Sequence, residues 1–430
     1  MMEDVAFIMY QWAKDMFPIC RSITGPGTRE TLAYIKKTLP ELEIREVRSG
    51  SKAFDWIVPD EWAISEAYVE TLDGLRIIDY VNNNLHVVGY SEPVDLIIDL
   101  EELEEHLHSL PDLPQAIPYI TSYYKRNWGF CLSHAQRKFL KNVKYHVVIK
   151  SELKKGVLNY AELILPGRTS KEVFISTYIC HPSMANNELS GPVVTMALAL
   201  WLKSLKNREY TYRIVFIPET IGSIVYISKN IDLLKKNTIL GFNITCVGDN
   251  NKYSFLPTRE GNTYSDQLAK YILDRYVEKY QEYSFLDRGS DERQYCSPLV
   301  DLPVVSVMRS KYGEYKEYHT SLDDLSFISP EGLWGAYKII KKCLEVNELN
   351  FIYCCVNPCE PQLGRYGLYP HISTKESKAT VKDITNVLAY CDGINTLLDI
   401  SRITNIHIDK TQEFIATLID NNLIKKIDKY

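Results

Sequence analysis

The chain is poor in cysteine, in net basic charge and in long apolar runs. Ten cysteines among 430 residues are too few for a disulfide scaffold, so we expect buried, reduced thiols and a cytoplasmic location. A formal net charge of −6 argues against bulk attraction to nucleic acid or to an anionic membrane. No apolar run reaches the roughly 20 residues that a membrane span needs. We therefore expect neither nucleic acid nor a membrane among the partners.

A signal peptide and a cysteine-bound structural metal are also disfavoured by the sequence. The first residues, MMEDVAFIMYQWAKDMF, carry early acids and no basic stretch ahead of an apolar one, so they do not resemble a signal peptide. Cys354, Cys355 and Cys359 cluster without a CxxC pair. We interpret them as reduced thiols, and a structural metal knot is the alternative. The length allows two or three domains.

Strand-like and helix-like segments alternate from about residue 143 to residue 350. The apolar runs are VFISTYI, YRIVFIP, LGFNITCV and LPVVSVM. This pattern predicts an α/β fold with a mainly parallel, mixed sheet that helices cover on both faces. Short strands predict an inserted β-rich domain over residues 46–112. Helices followed by a short strand predict a winged-helix-like domain over 375–430, which leaves 1–45 and 113–360 for the α/β domain.

Each of the four apolar runs is followed by a residue that can bind a metal or move a proton. His181 follows the first run, Glu219 the second and Asp249 the third, and His319 comes about eleven residues after the fourth. Because the carboxyl ends of parallel strands meet at one sheet edge, we expect these side chains to share a site. Two imidazoles and two carboxylates suit zinc. Taken singly, each residue has a structural alternative: a hydrogen-bonded histidine, a turn at Asp249 or a helix cap at Glu219.

The same segments resemble the metal motifs of the two-zinc aminopeptidase and carboxypeptidase clan. HPSMANNELSG resembles its first metal motif, PETIGS its catalytic glutamate segment, VGD its next aspartate ligand and YHTSLDD its final histidine. Over about 360 residues the chain is similar to a bacterial aminopeptidase-like family associated with polysaccharide biosynthesis. The segments that carry this similarity are FPICRSITGPGTRETL, FDWIVPDEW, NLHVVGYS, PYITSYYKRNWGFCLS, RGSDERQYCSP and EPQLGRYGLYP. Its inserted β domain and C-terminal winged helix match the predicted domains.

The resemblance implies a set of metal ligands, from which this chain departs at one position. His181 and Asp249 would hold one metal, and His319 with a glutamate would hold the other. The motif normally reads Ala-Asn-Asp-Asn-Leu-Ser-Gly, but here Asn187 replaces the bridging acid and Glu188 follows it. An amide brings no charge to offset two cations. We therefore expect one zinc and a weak contribution from Asn187; the alternatives are that Glu188 swings in or that the site is degenerate.

A second departure lies at Glu219, which is followed by Thr220 where the clan has adjacent acids. We assign the base role to Glu219, because threonine cannot replace a proton acceptor. The segment RGSDERQY is either a solvated loop or a substrate clamp, and the resemblance favours a clamp made by Arg288 and Asp291. The aromatic segments FDWIVPDEW and PYITSYYKRNWGF predict interface core, and the alternative is a stacking platform for a sugar.

The leading functional prediction is a zinc-dependent aminopeptidase-like hydrolase that cleaves a peptide or a small amide bond. The related alternative is an amidohydrolase or deacylase acting on an amino sugar or a biosynthetic intermediate. A catalytically silent binding or scaffold protein is the alternative from another class, and Asn187 supports it. A DNA-binding regulator is disfavoured, because residues 378–429 carry seven basic and seven acidic side chains. We expect that segment to serve packing or homo-oligomerisation.

Overall fold

The computed structural model describes residues 2–368 and 375–427. These residues fall into two compact units, Met1–Ile340 and Lys341–Tyr430. The predicted winged-helix range ends in residues 428–430, which lie outside the described residues. Over the part of the chain that is described, no helix has the length and apolar character needed to cross a membrane.

The first unit contains most of the helices and strands. Its helices are α1 (Met2–Met16), α2 (Pro26–Thr38), α3 (Leu100–Glu104), α4 (His134–Arg137), α5 (Ser190–Ser204), α6 (Ile221–Asn237), α7 (Tyr264–Tyr276), α8 (Glu292–Tyr295) and α9 (Pro330–Leu349), the last of which runs on past the boundary. Its strands are β1 (Glu43–Arg48), β2 (Lys52–Ala53), β3 (Trp56–Ile57), β4 (Glu61–Thr71), β5 (Arg76–Asp79), β6 (Val94–Ile98), β7 (Leu107–His108), β8 (Phe130–Cys131), β9 (Tyr145–Lys154), β10 (Val157–Leu165), β11 (Glu172–Tyr178), β12 (Thr211–Ile217), β13 (Thr238–Asn243), β14 (Tyr253–Leu256), β15 (Tyr280–Glu282) and β16 (Val304–Met308).

A mixed sheet of eight strands forms the centre of the first unit, in the order β1-β10-β12-β11-β13-β16-β14-β15. The four middle strands run parallel to one another. Antiparallel pairings join β10 to β12 on one side and β14 to β16 on the other. All seven residues of β11 are buried, as expected for a central parallel strand with helices on both faces. The predicted sheet is therefore present, with β11 at its middle.

Helix α5 follows β11 through a π-helical turn, Ala185–Leu189, whose five residues are all buried. The helix is apolar on every side and largely buried, because it packs against the central sheet and against α1. The approach is close at Gly191, where a Cβ atom would lie 2.3 Å from the carbonyl oxygen of Ile244 and 2.5 Å from Oγ1 of Thr177. This packing fixes the turn that precedes α5 against the carboxyl end of β11.

A smaller antiparallel sheet, in the order β5-β4-β9-β6, lies in the same unit. Strand β9 belongs to residues 145–154, beyond the range 46–112 for which an inserted domain is predicted. The sheet therefore draws one strand from a later part of the chain. The domain boundaries themselves stay a prediction.

The second unit is built from α10 (Lys375–Ala389), α11 (Leu397–Thr404) and α12 (Ile408–Asp420) together with β17 (Ile352–Cys355), β18 (Asp392–Thr396) and β19 (Ile424–Ile427). The strands form an antiparallel sheet with β17 in the middle. Helix α11 begins with a capping box between Thr396 and Asp399, a local signal that fixes its first turn. The final strand β19 comes directly after the helices, as the sequence pattern predicts.

Candidate functional site

Three of the predicted site residues gather at the carboxyl ends of the parallel strands. His181 lies three residues after β11 and Glu219 two residues after β12, while His319 lies in the long loop after β16. The side chain of His181 is buried, and that of Glu219 is 19% exposed. The ring centroids of His181 and His319 are 5.4 Å apart. The sheet edge therefore brings together two imidazoles and one carboxylate.

His181 is fixed on both sides by buried neighbours. Its Nδ1 lies 2.6 Å from Oε2 of Glu188, and its backbone carbonyl accepts a hydrogen bond of 2.9 Å from Nε of Arg21. Burial alone would lower the pKa of His181, but Cys180 and Glu188 outweigh it and raise this pKa well above the usual value. A buried carboxylate such as Glu188, which favours a proton on an imidazole, also favours a bound cation nearby.

The other nitrogen of His181 faces Glu219. Nε2 lies 3.5 Å from Oε2 of Glu219, which is longer than a good hydrogen bond. Burial raises the pKa of Glu219, and His181 and the nearby Ser290 hydroxyl oppose this rise. The Nε2 atom of His319 is buried with no hydrogen-bond partner among the described residues, and burial with the neighbouring His181 lowers the pKa of His319 to about 3. His319 is therefore a neutral imidazole with an unused buried nitrogen.

One pair of these donor atoms, on His181 and Glu219, has the spacing of two ligands of a zinc ion. Zinc bonds of about 2.0–2.2 Å in tetrahedral geometry place two ligand atoms about 3.4 Å apart, close to the 3.5 Å between His181 Nε2 and Glu219 Oε2. Two histidines and one glutamate also form a known catalytic zinc set. Among the described residues, the group of three metal-competent side chains whose ligand atoms all lie within 4.8 Å of one another is Cys180, His181 and Glu188, and not His181, Glu219 and His319. Its separation of 2.6 Å between nitrogen and oxygen is that of a hydrogen bond, so we interpret it as a support for His181.

Asn187 lies beside the histidines but is turned toward the sheet. Its Nδ2 donates to the hydroxyl of Tyr178 at 2.8 Å, and its backbone carbonyl accepts from Oγ1 of Thr245 at 3.0 Å. The ring of Tyr178 contacts His181 edge-on at 5.4 Å. Oδ1 of Asn187 is buried without a hydrogen-bond partner among the described residues. The position predicted to bridge two metals therefore carries an amide whose Nδ2 donates to Tyr178 and to Sγ of Cys246.

The hydrogen bonds of Asp249 among the described residues go to residues other than His181 and His319. Its carboxylate oxygens accept hydrogen bonds from the backbone and hydroxyl of Ser310, from the side chain of Asn186 and from the backbone of Asn251. The residue of this segment that contacts Asn187 is Thr245, because β13 ends at Asn243 and the chain turns there. The described contacts of Asp249 join three loops, and its ligand role stays a prediction.

A cavity of about 180 Å³ opens over His181 and Glu219. Its wall is largely aromatic and apolar, formed by Ile23, Trp56, Tyr123, Tyr124 and Ile221, and its floor by Cys180, His181, Glu219 and Thr220. Among these lining residues, Glu219 alone carries a carboxylate. Rings of Trp56 and Tyr124 meet edge-to-face at 5.9 Å at this wall. A substrate group of modest size could therefore lie against aromatic rings with its reactive atom next to the histidine and the glutamate.

The predicted substrate clamp has a different composition in the structure. Arg288 is exposed and its guanidinium donates to the carbonyl of Phe285, so it does not reach the site. Asp291 is buried and accepts from the backbone of Thr220 at 2.7 Å. Burial and nearby Glu219 raise the pKa of Asp291 to about 8. Arg293, two residues further on, donates to Oγ1 of Thr220, a residue of the cavity floor, at 2.9 Å.

The backbone around the cavity is strained at several non-glycine residues. Ser183, Thr220, Cys246 and His319 have φ angles of 45°, 63°, 52° and 54°, in the left-handed region that L residues rarely adopt. A β-branched threonine there is especially unfavourable. Asp291 and Arg293 hold Thr220 in place through its amide and its hydroxyl. Such strain, of order 1–3 kcal/mol for each residue, is typical of functional sites.

Three residues of the site were not predicted from the sequence. Tyr119 presents its ring edge to both His181 and His319, at 5.2 Å in each case, and its backbone amide donates to the carbonyl of His319. Cys180 accepts a hydrogen bond from the backbone of Glu219 at 3.2 Å. Arg21 holds the backbone of His181. Tyr119 and Arg21 lie in two of the segments that carry the family resemblance. That resemblance was the one signal in the sequence that could have pointed to these two residues.

Comparison with known proteins identifies the family. Residues 10–350 match the model of a family described as a domain of unknown function, DUF4910. The chain belongs to the DUF4910 family. Residues 351–426 match a winged helix-turn-helix model, so the predicted C-terminal winged helix is confirmed. A protein of Clostridium acetobutylicum, named as a polysaccharide biosynthesis protein with an aminopeptidase-like domain, is 44% identical over 395 residues, or 91% of this chain and 90% of the relative.

Solved structures confirm the fold class. A crystal structure of a protein from Clostridium acetobutylicum has a TM-score of 0.93 at 40% identity and covers 99% of this chain and 97% of its own. The zinc aminopeptidase of Bacillus subtilis has a TM-score of 0.57 at 14% identity, covering 80% of this chain and 94% of its own. At such low identity this second likeness concerns the fold alone. This DUF4910 chain therefore has an aminopeptidase-like α/β fold.

Proposed function

We propose that this chain is a zinc-dependent hydrolase of a peptide or small amide bond that uses a single metal ion. The observation that carries the proposal is the 3.5 Å between His181 Nε2 and Glu219 Oε2, together with the unpartnered Nε2 of His319, whose ring centroid lies 5.4 Å from that of His181. These three side chains would hold the zinc. When bound, zinc polarises a carbonyl and makes its water more acidic.

The protein side chains would transfer the proton, bind the substrate and exclude water. Glu219 is the carboxylate of the cavity floor; with one oxygen on the zinc, its other oxygen would accept a proton and later return it to the leaving amine. Ser290 would keep one of its oxygens oriented. The aromatic wall around Trp56 and Tyr124 would bind the substrate side chain and exclude water from the reacting bond.

Two features argue for one ion and against two. Asn187 stands where a bridging carboxylate would neutralise a second cation, and Asp249 has four hydrogen-bond donors on its two oxygens. A second ion would thus meet an amide, and a carboxylate already occupied by other groups. We expect metal analysis of protein purified without chelator to give about one zinc per chain.

Site variants test the assignment. His181→Ala and His319→Ala should each lose the zinc, and Glu219→Gln should lose hydrolysis of aminoacyl-chromophore substrates. Asp249→Asn should keep the zinc, since its oxygens serve the loops. His134→Gln is the matched control, because His134 bonds to Ser109 on another part of the surface. Full zinc content in the double variant of His181 and His319 would refute the proposed site.

A second candidate substrate class rests on the aromatic wall. Trp56 and Tyr124 meet edge-to-face beside the cavity, an arrangement on which a sugar ring can pack. The relative's name mentions polysaccharide biosynthesis, which makes removal of an acyl group from an amino sugar the alternative reaction. Parallel assays with aminoacyl-chromophore substrates and N-acetylated amino sugars separate the two. Zinc bound in stoichiometric amount with no turnover in either assay would support a catalytically silent binding protein instead.

Cellular location and partners stay predictions. A cytoplasmic location, the absence of nucleic-acid and membrane partners, and packing or homo-oligomerisation through the C-terminal unit are expectations from sequence composition. Light scattering of the full chain and of a variant truncated after residue 350 would test the last of these. We expect a smaller assembly for the truncated chain.

A further inference from the structure

Glu188 follows the amide at the predicted bridging position, and it is completely buried. One of its oxygens, Oε2, lies 2.6 Å from Nδ1 of His181. Its other oxygen, Oε1, has no hydrogen-bond partner among the described residues. A carboxylate buried in this way is costly unless an opposite charge balances it.

The balancing charge comes from Arg21, which is 1% exposed. Arg21 donates from Nε to the carbonyl of His181 at 2.9 Å and from Nη1 to the carbonyl of Met16 at 2.6 Å. Its third nitrogen, Nη2, has no partner among the described residues. Burial lowers the pKa of Arg21, and the charge of Glu188 is the largest effect that opposes this lowering. The guanidinium of Arg21 and the carboxylate of Glu188 therefore stabilise each other's charge inside the protein, without a direct hydrogen bond between them.

We propose that Glu188 and Arg21 are positioning residues for His181. Glu188 holds the proton on Nδ1, which leaves Nε2, the nitrogen that faces Glu219 and the cavity, as the one available to a metal ion. Arg21 anchors the backbone of His181 and balances the charge of Glu188. The part of this inference that concerns zinc rests on the proposed function; the part that concerns the proton on Nδ1 does not.

The arrangement explains why a glutamate occurs at position 188. A histidine ligand usually donates its second ring nitrogen to a carboxylate or carbonyl, which fixes the ring and raises its basicity as a ligand. Glu188 is near enough to do this because the π-helical turn, Ala185–Leu189, brings residue 188 back onto the ring of His181. On this inference, the carboxylate of Glu188 stays hydrogen-bonded to His181 and does not take the place of Asn187 as a metal ligand.

Zinc affinity is the first test, measured with a competing fluorescent chelator on the full chain. Glu188→Ala and Arg21→Met should each weaken zinc binding by about 10–100-fold, the usual effect of removing such a partner. Glu188→Gln should fall between Glu188→Ala and the wild type, because its amide oxygen can still accept from Nδ1. The double variant Arg21→Met/Glu188→Gln should be no weaker than the weaker single variant, since both act through His181.

Glu172→Gln provides the matched control. Glu172 is also a buried carboxylate, paired with Arg213 at 2.7 Å, but it lies at the start of β11 and does not touch His181. It should lower thermal stability without changing zinc affinity. Equal loss of affinity in Glu172→Gln and Glu188→Gln, or affinity within twofold of wild type in Glu188→Ala, would overturn the proposal.

The second test is independent of metal. In protein labelled with ¹⁵N-histidine and freed of metal, the resonance of His181 is assigned by its loss in His181→Gln. We expect a protonated Nδ1 with a strongly downfield proton, and loss of that proton signal in Glu188→Ala. An unprotonated Nδ1 in the wild type would overturn the inference. Failure of the wild type to bind zinc would instead refute the proposed function, while this measurement would still decide the role of Glu188.

Discussion

Restoring the acid at position 187 is the sharpest test of a single-metal site. Asn187 is 2% exposed, its Nδ2 donates to the hydroxyl of Tyr178 at 2.8 Å, and its backbone amide donates to Asp323 at 3.0 Å. Asn187→Asp removes the side-chain donor and inserts a second carboxyl next to the buried Glu188. The shape of the side chain is unchanged, so the effect is electrostatic.

The expected cost follows from the ionisation of an ordinary aspartate. With a reference pKa near 3.9, keeping the new carboxyl neutral at about pH 7 costs about 4 kcal/mol, at about 1.4 kcal/mol for each pKa unit. A hydrogen bond from Tyr178 to the carboxylate would reduce this value. We therefore expect the metal-free variant to be less stable by about 2–4 kcal/mol. We also expect its zinc content to stay at about one per chain. Thr220 has no carboxylate, and both carboxylate oxygens of Asp249 already accept hydrogen bonds.

Urea unfolding followed by tryptophan fluorescence measures the stability, and metal analysis after dialysis against zinc measures the stoichiometry. Asn207→Asp is the control, because Asn207 is exposed and the same change there should stay within about 0.5 kcal/mol. Wild-type stability in metal-free Asn187→Asp would refute the electrostatic reasoning. Two zinc ions per chain would refute the single-metal argument and show that one carboxylate suffices to restore a second site.

Two further predictions concern the fold. His146 lies 2.8 Å from Asp95 and 3.0 Å from Glu70. Hydrogen bonds to both carboxylates raise the pKa of His146 in the folded protein. Protonated His146 therefore contributes its full stabilisation below about pH 6.5, the usual histidine pKa, and this stabilisation is lost as the pH rises through the raised pKa. His146→Gln should lower the thermal midpoint at about pH 5.5 and much less at about pH 9, and an equal loss at both would contradict this. Gly191→Ala should destabilise by about 1–3 kcal/mol or more in urea, because the new methyl group meets the carbonyl of Ile244; an unchanged midpoint would show that α5 shifts freely.

The central sheet could be predicted because its strands carry an unusually clear signal. Residues in β11, β12 and β13 are apolar on both faces, as the burial of all seven residues of β11 requires. The carboxyl ends of such strands meet at one edge, so the proximity of His181 and Glu219 follows from their places in the chain. The antiparallel edges of the sheet and the strand that β9 adds to the smaller sheet have no comparable signal, since pairing partners are chosen by tertiary packing.

The place of Asp249 in the structure, among loop residues, was not predicted, for a local reason. The apolar run LGFNITCV continues for four residues after β13 ends at Asn243, because the following loop is buried as deeply as the strand. An apolar run therefore does not mark where a strand ends when the loop after it is also in the core. Thr245, inside the run, contacts Asn187, whereas Asp249 lies beyond the next turn with Ser310.

Arg21 and Glu188 escaped the sequence analysis because their significance depends on distance in space. Arg21 lies 160 residues from the carbonyl it holds, and nothing in a pattern of apolar and polar residues specifies such a pairing. Glu188 looks in the sequence like a displaced bridging acid. The π-helical turn, with one more residue than an α-helical turn, redirects its side chain onto Nδ1 of His181.

The charges around the cavity give a common reason for a single ion. Arg21 balances Glu188, and neutral side chains stand at Asn187, Thr220 and Thr245. Glu219 then remains as the charge facing the two histidines, which is enough to hold one divalent cation together with a hydroxide or an anionic substrate group but leaves a second cation without compensation. On the proposed function, the number of metal ions that this chain binds would thus depend on how many carboxylates face the histidines, and Glu188 would orient His181 without adding to the charge available to the ion.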